Sequence, residues 1–246
     1  MPPIYVINLD RDVERMTSLA VSLKSLGLDY VRVPAVLGKE IAGWEKHVDA
    51  GRYGVRNRNV MPRPGEVGCY LSHLKVMEEF LRTDAPWCVI LEDDVEVLPE
   101  CVEVLEALGR MDEWDMVKLF NFHGGLPVRK CALGNRHDLV VHLTRTTSAA
   151  AYAVNRRAAE ILLKTMLPIT EQLDHAHDRP WETGLRVRGV RPMPVTLAPI
   201  SATSSIGYAD RGDRSLPFGR AVRLFLYRAA KEVRRFSHGV AEAFLR

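Results

Sequence analysis

The segment Trp87-Cys88-Val89-Ile90-Leu91 is apolar throughout and runs without a break into Glu92-Asp93-Asp94. A short apolar run rich in β-formers reads as a strand buried on both faces, the kind found in a sheet covered by helices on each side. Three successive carboxylates at the end of such a strand repel one another and need something to offset that repulsion. A divalent cation does this, and oxygen ligands of this type suit Mn2+ or Mg2+. Glu92 and Asp94 are the expected ligands, one residue apart on either side of Asp93. In open α/β sheets, ligands gather at the carboxyl ends of strands, where this triplet falls. Taken alone, the triplet also fits a solvated turn with helix-capping acids.

The rest of the chain supplies the elements such a sheet needs. Residues 4–9 form a buried strand. Asp10 or Asp12 then caps a helix whose apolar face is Val13, Met16, Leu19, Leu23 and Leu26, stopped by Gly27. Residues 30–33 give a second strand, so the chain opens β-α-β and the fold class is α/β with a mixed, mostly parallel sheet. Helical spacing resumes over 65–81, through Val67, Leu71, Leu74, Met77 and Leu81, and again from Pro99 to Gly109. Residues 115–120, 139–143 and 150–154 read as strands, and Asn155 caps a further helix closed by Pro168. Residues 38–64 are broken by glycine, asparagine and proline and read as a long loop with one short helix near Trp44; loops of that length in compact domains are usually functional. With three prolines, 187–199 reads as an edge strand at best. Residues 201–215 read as a mobile loop.

Length and composition favour one domain, 1–216, with an appended helix, 217–246. The formal net charge of +3 is concentrated in that appendage: residues 219–246 hold seven basic and two acidic residues, which leaves the remainder slightly acidic. Such a distribution argues against a general nucleic-acid binder and for a local contact. Val222, Phe225, Val233, Phe236 and Phe244 recur on one face, with arginines mostly opposite. That pattern fits a membrane-surface helix or one packed on its own domain. The four cysteines form no CxxC pair and read as free thiols of a reducing compartment. No secretory leader and no membrane-spanning run is legible. The expected location is the cytoplasm, with a peripheral place on the inner face of the membrane left open by the tail.

Two further clusters carry chemistry. Asn8, Asp10, Arg11 and Arg15 gather where the first strand ends, the place a nucleotide takes in a β-α-β unit, and either arginine can pair with phosphate oxygens. Each also fits an ordinary helix start. Gly65, Glu66, Gly68, Ser72 and His73 place two glycines, which let backbone approach a ligand, beside polar groups on an otherwise apolar helix. Alone, His73 reads as a structural histidine. In the polar segment 170–181, Asp174, His175, His177 and Asp178 are candidates for a base, a ligand contact or a further metal ligand, and Trp181 for stacking on a ligand ring.

Taken together, Val6-Ile7-Asn8-Leu9-Asp10-Arg11, Pro64-Gly65-Glu66-Val67-Gly68-Cys69-Tyr70-Leu71-Ser72-His73 and Val89-Ile90-Leu91-Glu92-Asp93-Asp94-Val95 resemble glycosyltransferase family 25 in order and spacing, with Ala151-Tyr152-Ala153-Val154 and its following helix continuing the likeness. The resemblance implies a GT-A-like single nucleotide-sugar-binding domain, a donor such as UDP-galactose, and a glycan acceptor such as lipooligosaccharide or LPS. It further implies an inverting, metal-dependent transfer with Glu92-Asp93-Asp94 as a DxD-like motif, Asp93, Ser72 and His73 near the donor, and Asp174 or Asp178 as base. Two rivals stand beside it: a non-catalytic nucleotide-sugar or glycan-binding module of the same fold, and a metal-dependent nucleotidyltransferase or hydrolase.

Overall fold

The computed structural model describes residues 1–57, 60–199 and 217–245. In chain order the elements are β1 (Ile4–Asn8), α1 (Val13–Ser25), β2 (Val31–Pro34), two 3-10 turns (Gly38–Glu40 and Trp44–His47), α2 (Ala50–Arg56), α3 (Pro64–Leu81), β3 (Trp87–Glu92), β4 (Val95–Val97), α4 (Cys101–Leu108), β5 (Met116–Lys118), β6 (Pro127–Leu133), β7 (His137–His142), β8 (Ala151–Asn155), α5 (Arg156–Thr165), α6 (Leu173–His177), α7 (Pro180–Thr183), β9 (Val187–Arg191), β10 (Val195–Leu197) and α8 (Phe218–Phe244).

Eight strands form one sheet in the order β2-β1-β3-β8-β5-β9-β7-β6, while β4 and β10 pair separately. The pairings leave only β8 and β7 running against the other six strands. The fold is the expected mixed α/β class. Side chains alternate across the pleat, so β3 sends Val89 and Leu91 to the face under α1 and α4, and Cys88 and Ile90 to the face under α3 and α5. Because β1 and β3 are parallel with Ile7 beside Glu92, their carboxyl ends open at the same place. That register sets Asn8 next to the acidic triplet.

Several elements differ from the sequence expectation. Residues 50–56 form α2, which Gly51 and Gly54 had masked; Asp49 caps it by accepting the Arg52 N–H at 2.9 Å. β4 and β6 also went unforeseen. β6 is an edge strand with mixed exposure, so its alternation is weak. β9 is interior, not an edge strand, because its register with β5 and β7 ends at Arg191, before the first of the three prolines. Asp12 occupies the N-cap position of α1 but makes no side-chain capping bond. The expected loop at 201–215 and the domain boundary at 216 lie outside the described residues. All four cysteines are free, as expected, and none of the described helices is long and apolar enough to cross a membrane.

The glycines of α3 act on packing. A Cβ on Gly68 would stand 2.4 Å from the Val36 carbonyl oxygen and 2.6 Å from the Gly38 nitrogen. The chain after β2 lies directly on the helix there. Around Gly65, by contrast, nothing lies within 4 Å. We predict that Gly68→Ala destabilises the protein by about 3 kcal/mol. Gly65→Ala should be neutral or stabilising by up to about 1 kcal/mol, through its gain in helix propensity. Urea unfolding of the two variants reads the difference; equal midpoints would refute the assigned packing role.

Candidate active site

The three acids at the end of β3 go to three different environments. Asp93 is buried on the α1 side, where Asn8 Nδ2 donates to its Oδ2 at 2.7 Å and Arg15 Nη1 lies 3.4 Å from its Oδ1. Burial raises its pKa, and these two partners act against burial. Glu92 turns to the opposite face. His73 Nε2 lies 3.1 Å and the Cys69 thiol 3.7 Å from its Oε1. Asp94 sits at the turn with its Oδ1 buried and without a hydrogen-bond partner among the described residues. Burial first, and then the Glu92 carboxylate, push its pKa up to about 7.

His73 is wholly buried, and its ring stacks on Tyr152 with centroids 5.7 Å apart. Its Nδ1 is 2.7 Å from the Tyr152 hydroxyl. An ionised Glu92 only accepts, so the network assigns the ring proton to Nε2, and the Tyr152 hydroxyl donates to Nδ1. His73 is therefore a positioning group that fixes Glu92 from behind, as second-layer partners orient the ligands of a metal. Cys69, His73 and Glu92 bring a sulfur, a nitrogen and an oxygen within 4.8 Å of one another. Burial and then Glu92 push the Cys69 thiol well above its usual range. Cys69 and His73 thus flank Glu92 on this face of the sheet.

The end of β1 carries a ladder of polar groups. Arg32 Nε donates to Asn8 Oδ1 at 2.8 Å, and its guanidinium pairs with Asp10. Arg15 is engaged by Asp93, whereas the Arg11 side chain is 58% exposed beside Asp12 and is the arginine available to a ligand. A groove of about 800 Å³ runs between α1 and β2 and reaches Asn8, Asp10 and Arg32. Arg32 was not singled out in the sequence, since a lone arginine on a half-exposed strand gives no signal there.

The α3 cluster divides into support and site. Ser72 donates to the Gly68 carbonyl at 2.7 Å and accepts the Val36 N–H at 2.8 Å, so it ties β2 to α3. Gly68 makes room for the same approach. Glu66 accepts from the Arg63 backbone N–H and from Gln172, each at 2.8 Å. These three were expected near the donor; the contacts they make in the structure are with α3 itself, the segment after β2 and Gln172. Gly65 faces open space.

Of the two expected bases, Asp178 is buried between Lys118 at 3.7 Å and Arg235 at 3.0 Å, and it accepts from Thr146 at 3.0 Å. Burial acts to raise its pKa, but Lys118, Arg235 and the Thr146 bond outweigh burial and the net shift is downward. A carboxylate so held is a weak proton acceptor. Asp174, at the start of α6, is half-buried and accepts the His175 N–H at 2.8 Å. It lies close enough to Cys69, as Asp94 and Glu92 do, for its charge to act on the thiol. Trp181 lies under the Arg235 guanidinium, 5.5 Å away, and its ring is engaged there. His177 packs edge-on against His73 and Tyr152, and burial keeps it neutral.

Fold and site together define an α/β protein with a carboxylate cluster at the carboxyl end of a central strand and a groove with polar groups at the neighbouring strand end. The model for glycosyltransferase family 25, described as an LPS biosynthesis protein family, matches residues 1–124, half of the chain, and the chain belongs to that family. It is similar to a glycosyltransferase 25 family member of Anopheles gambiae, 27% identical over 87% of this chain and 39% of that protein. It is also similar to procollagen galactosyltransferase 1-B of Xenopus laevis, 24% identical over 87% of this chain and 38% of that one. The chain thus spans about two fifths of the length of these relatives. A solved structure of an active-site mutant of LgtC is similar at TM-score 0.42 and 13% identity, over 92% of this chain and 95% of that one.

Asp94 makes stability depend on pH in a direction that can be checked. Its folded-state value of about 7 lies above the ordinary carboxylate value of 3.8. Folding therefore takes up a proton between these limits, and stability falls as pH rises through them. In metal-free buffer at about pH 8, Asp94→Asn should be more stable than the parent by on the order of 2 kcal/mol, a figure reduced for partial exposure. At about pH 4 the gap should close. Urea titrations at both pH values test this, and a variant no more stable at the higher pH would show that Asp94 ionises without strain.

Proposed function

We propose that this chain is a divalent-metal-dependent galactosyltransferase that moves galactose from UDP-galactose to a surface-glycan acceptor of the lipooligosaccharide or LPS type, with inversion. The observation that carries the reading is the buried Asp94 oxygen, without a partner among the described residues, near Glu92 at the end of β3. A carboxylate whose pKa is raised by burial and by the neighbouring Glu92 suits a bound cation, which would lower it. Glu92 and Asp94 would hold Mn2+ or Mg2+, and the ion would stabilise the charge that builds on the departing diphosphate. The donor class draws on the galactosyltransferase name of the Xenopus relative, and the acceptor class on the family's description.

The chain's own residues take the remaining roles. Asn8, Asp10 and Arg32, at the mouth of the groove, bind and orient the nucleoside. Arg11 offers an exposed cation to the phosphates. Asp93 holds the ends of β1 and β3 together, and His73 keeps Glu92 aimed. Asp174 accepts the proton of the acceptor hydroxyl as its oxygen attacks the anomeric carbon. The bond from that carbon to the UDP oxygen breaks, and UDP leaves with the electron pair.

The test is thermal stabilisation by a panel of nucleotide sugars with and without Mn2+, followed by transfer assays. A ligand that binds only the folded state raises its apparent stability by mass action. We expect a metal-dependent shift with UDP-galactose that Asp94→Ala abolishes. Asp174→Asn should keep the shift and lose at least about a hundredfold in kcat. A shift with another sugar replaces the donor. Binding without transfer points to a non-catalytic module, cleavage between the phosphates to a hydrolase, and no shift at all refutes the reading.

A further inference from the structure

Helix α8 packs on its domain with the wrong face for a soluble helix. Its 27 residues carry apolar side chains at three- and four-residue spacing, and such a stripe ordinarily turns to the core. Here the polar face is the buried one. Lys231 Nζ reaches Glu171 at 2.9 Å, Arg235 reaches Asp178 at 3.0 Å, and Glu242 accepts from Arg188 at 2.8 Å. The side chains of all six are 10% exposed or less. The apolar stripe faces outward: Phe225 is 68% exposed, Leu226 59%, Val233 66% and Phe236 48%, with Phe218 and Phe244 continuing it at either end.

The charges along the stripe select what covers it. Arg223 and Arg234 are exposed on one edge, about three turns apart, and Arg228 is exposed on the other. The acid nearest the stripe, Glu232, is paired with Arg235. A second copy of the chain would bring these basic edges against each other, which like charges oppose. The domain itself has already taken the opposite face. A phospholipid surface of negative charge satisfies both features, since the aromatic and aliphatic groups enter the headgroup boundary while arginines meet phosphates. At about 1.5 Å per residue the helix offers a contact about 40 Å long, lying in the membrane plane.

We propose that α8 is an in-plane membrane-docking helix, clamped between an anionic lipid surface on its apolar face and the domain on its charged face. The inference is independent of the donor and acceptor, and its test uses neither. The full chain is sedimented with vesicles of phosphatidylcholine alone and of phosphatidylcholine mixed with phosphatidylglycerol. We expect it to pellet with the mixed vesicles and far less with the neutral ones. The pair Phe225→Glu and Phe236→Glu should abolish pelleting without changing the melting temperature, because both side chains already face water. Arg223→Glu and Arg234→Glu should each weaken binding by at least about fivefold at low salt. No pelleting with either vesicle, or pelleting that survives the phenylalanine changes, overturns the proposal. So does a vesicle-free dimer of the parent that those same changes dissociate, since a second copy would then be what covers the stripe.

Discussion

Three carboxylates can share the end of one buried strand only if each is given a different counterpart, and the polar architecture of the molecule follows from how this is done. Asp93 is given partners within the fold, a hydrogen bond from Asn8 and the Arg15 guanidinium. Glu92 is aimed by a histidine that a tyrosine on the antiparallel neighbour β8 fixes in turn. Asp94 has a buried oxygen without a partner among the described residues. Buried polar atoms are nearly always satisfied in folded proteins, so the exception marks the place where an outside group belongs. The repulsion that makes the triplet unfavourable on its own is thereby concentrated on one side chain.

What the sequence made legible was local. Apolar periodicity located β1, α1, β3 and α3, because burial of one face leaves its period in the residues themselves. The β-α-β order gave β1 beside β2, but the register of β1 against β3, and with it the meeting of Asn8 and the triplet, is visible only in the structure. What stayed hidden depends on partners far along the chain. No spacing announces that Ser72 binds Val36, that Gly68 yields to Gly38, or that Asp178 is locked between Lys118 and Arg235. A polar residue with a distant structural partner and one that meets a ligand look alike in one dimension. Ser72, Glu66 and Gly68 read as site residues from their type and spacing, and the structure adds the internal partners that the spacing does not show.

Helix α8 shows the same limit in a different form. Its amphipathicity was plain, but periodicity gives the existence of two faces and not which one the domain takes. That choice is made by Glu171 and Asp178, buried carboxylates on either side of Asp174. Glu171 meets Arg56, Arg179 and Lys231, and Asp178 meets Lys118 and Arg235. Desolvation offsets much of the attraction in such buried pairs, so their contribution is better measured in position than in stability. They accept one geometry and penalise others, since a charge left without its partner in that interior is strongly unfavourable.

Position is what this part of the molecule requires. Lys231 and Arg235 lie one helical turn apart and grip the segment that carries Asp174 at points before and after it. Lys130 from β6 also reaches the carbonyls of Glu242 and Ala243 near the end of α8, so the helix is held at both its middle and its C-terminal turn. These ion pairs, with side chains 10% exposed or less, join α8 to residues 171–178. With the apolar stripe on a lipid surface, the same ion pairs would fix the height and tilt of Asp174 above that surface. The helix face that a domain would ordinarily bury is the exposed one, and the charged face holds the segment that carries Asp174.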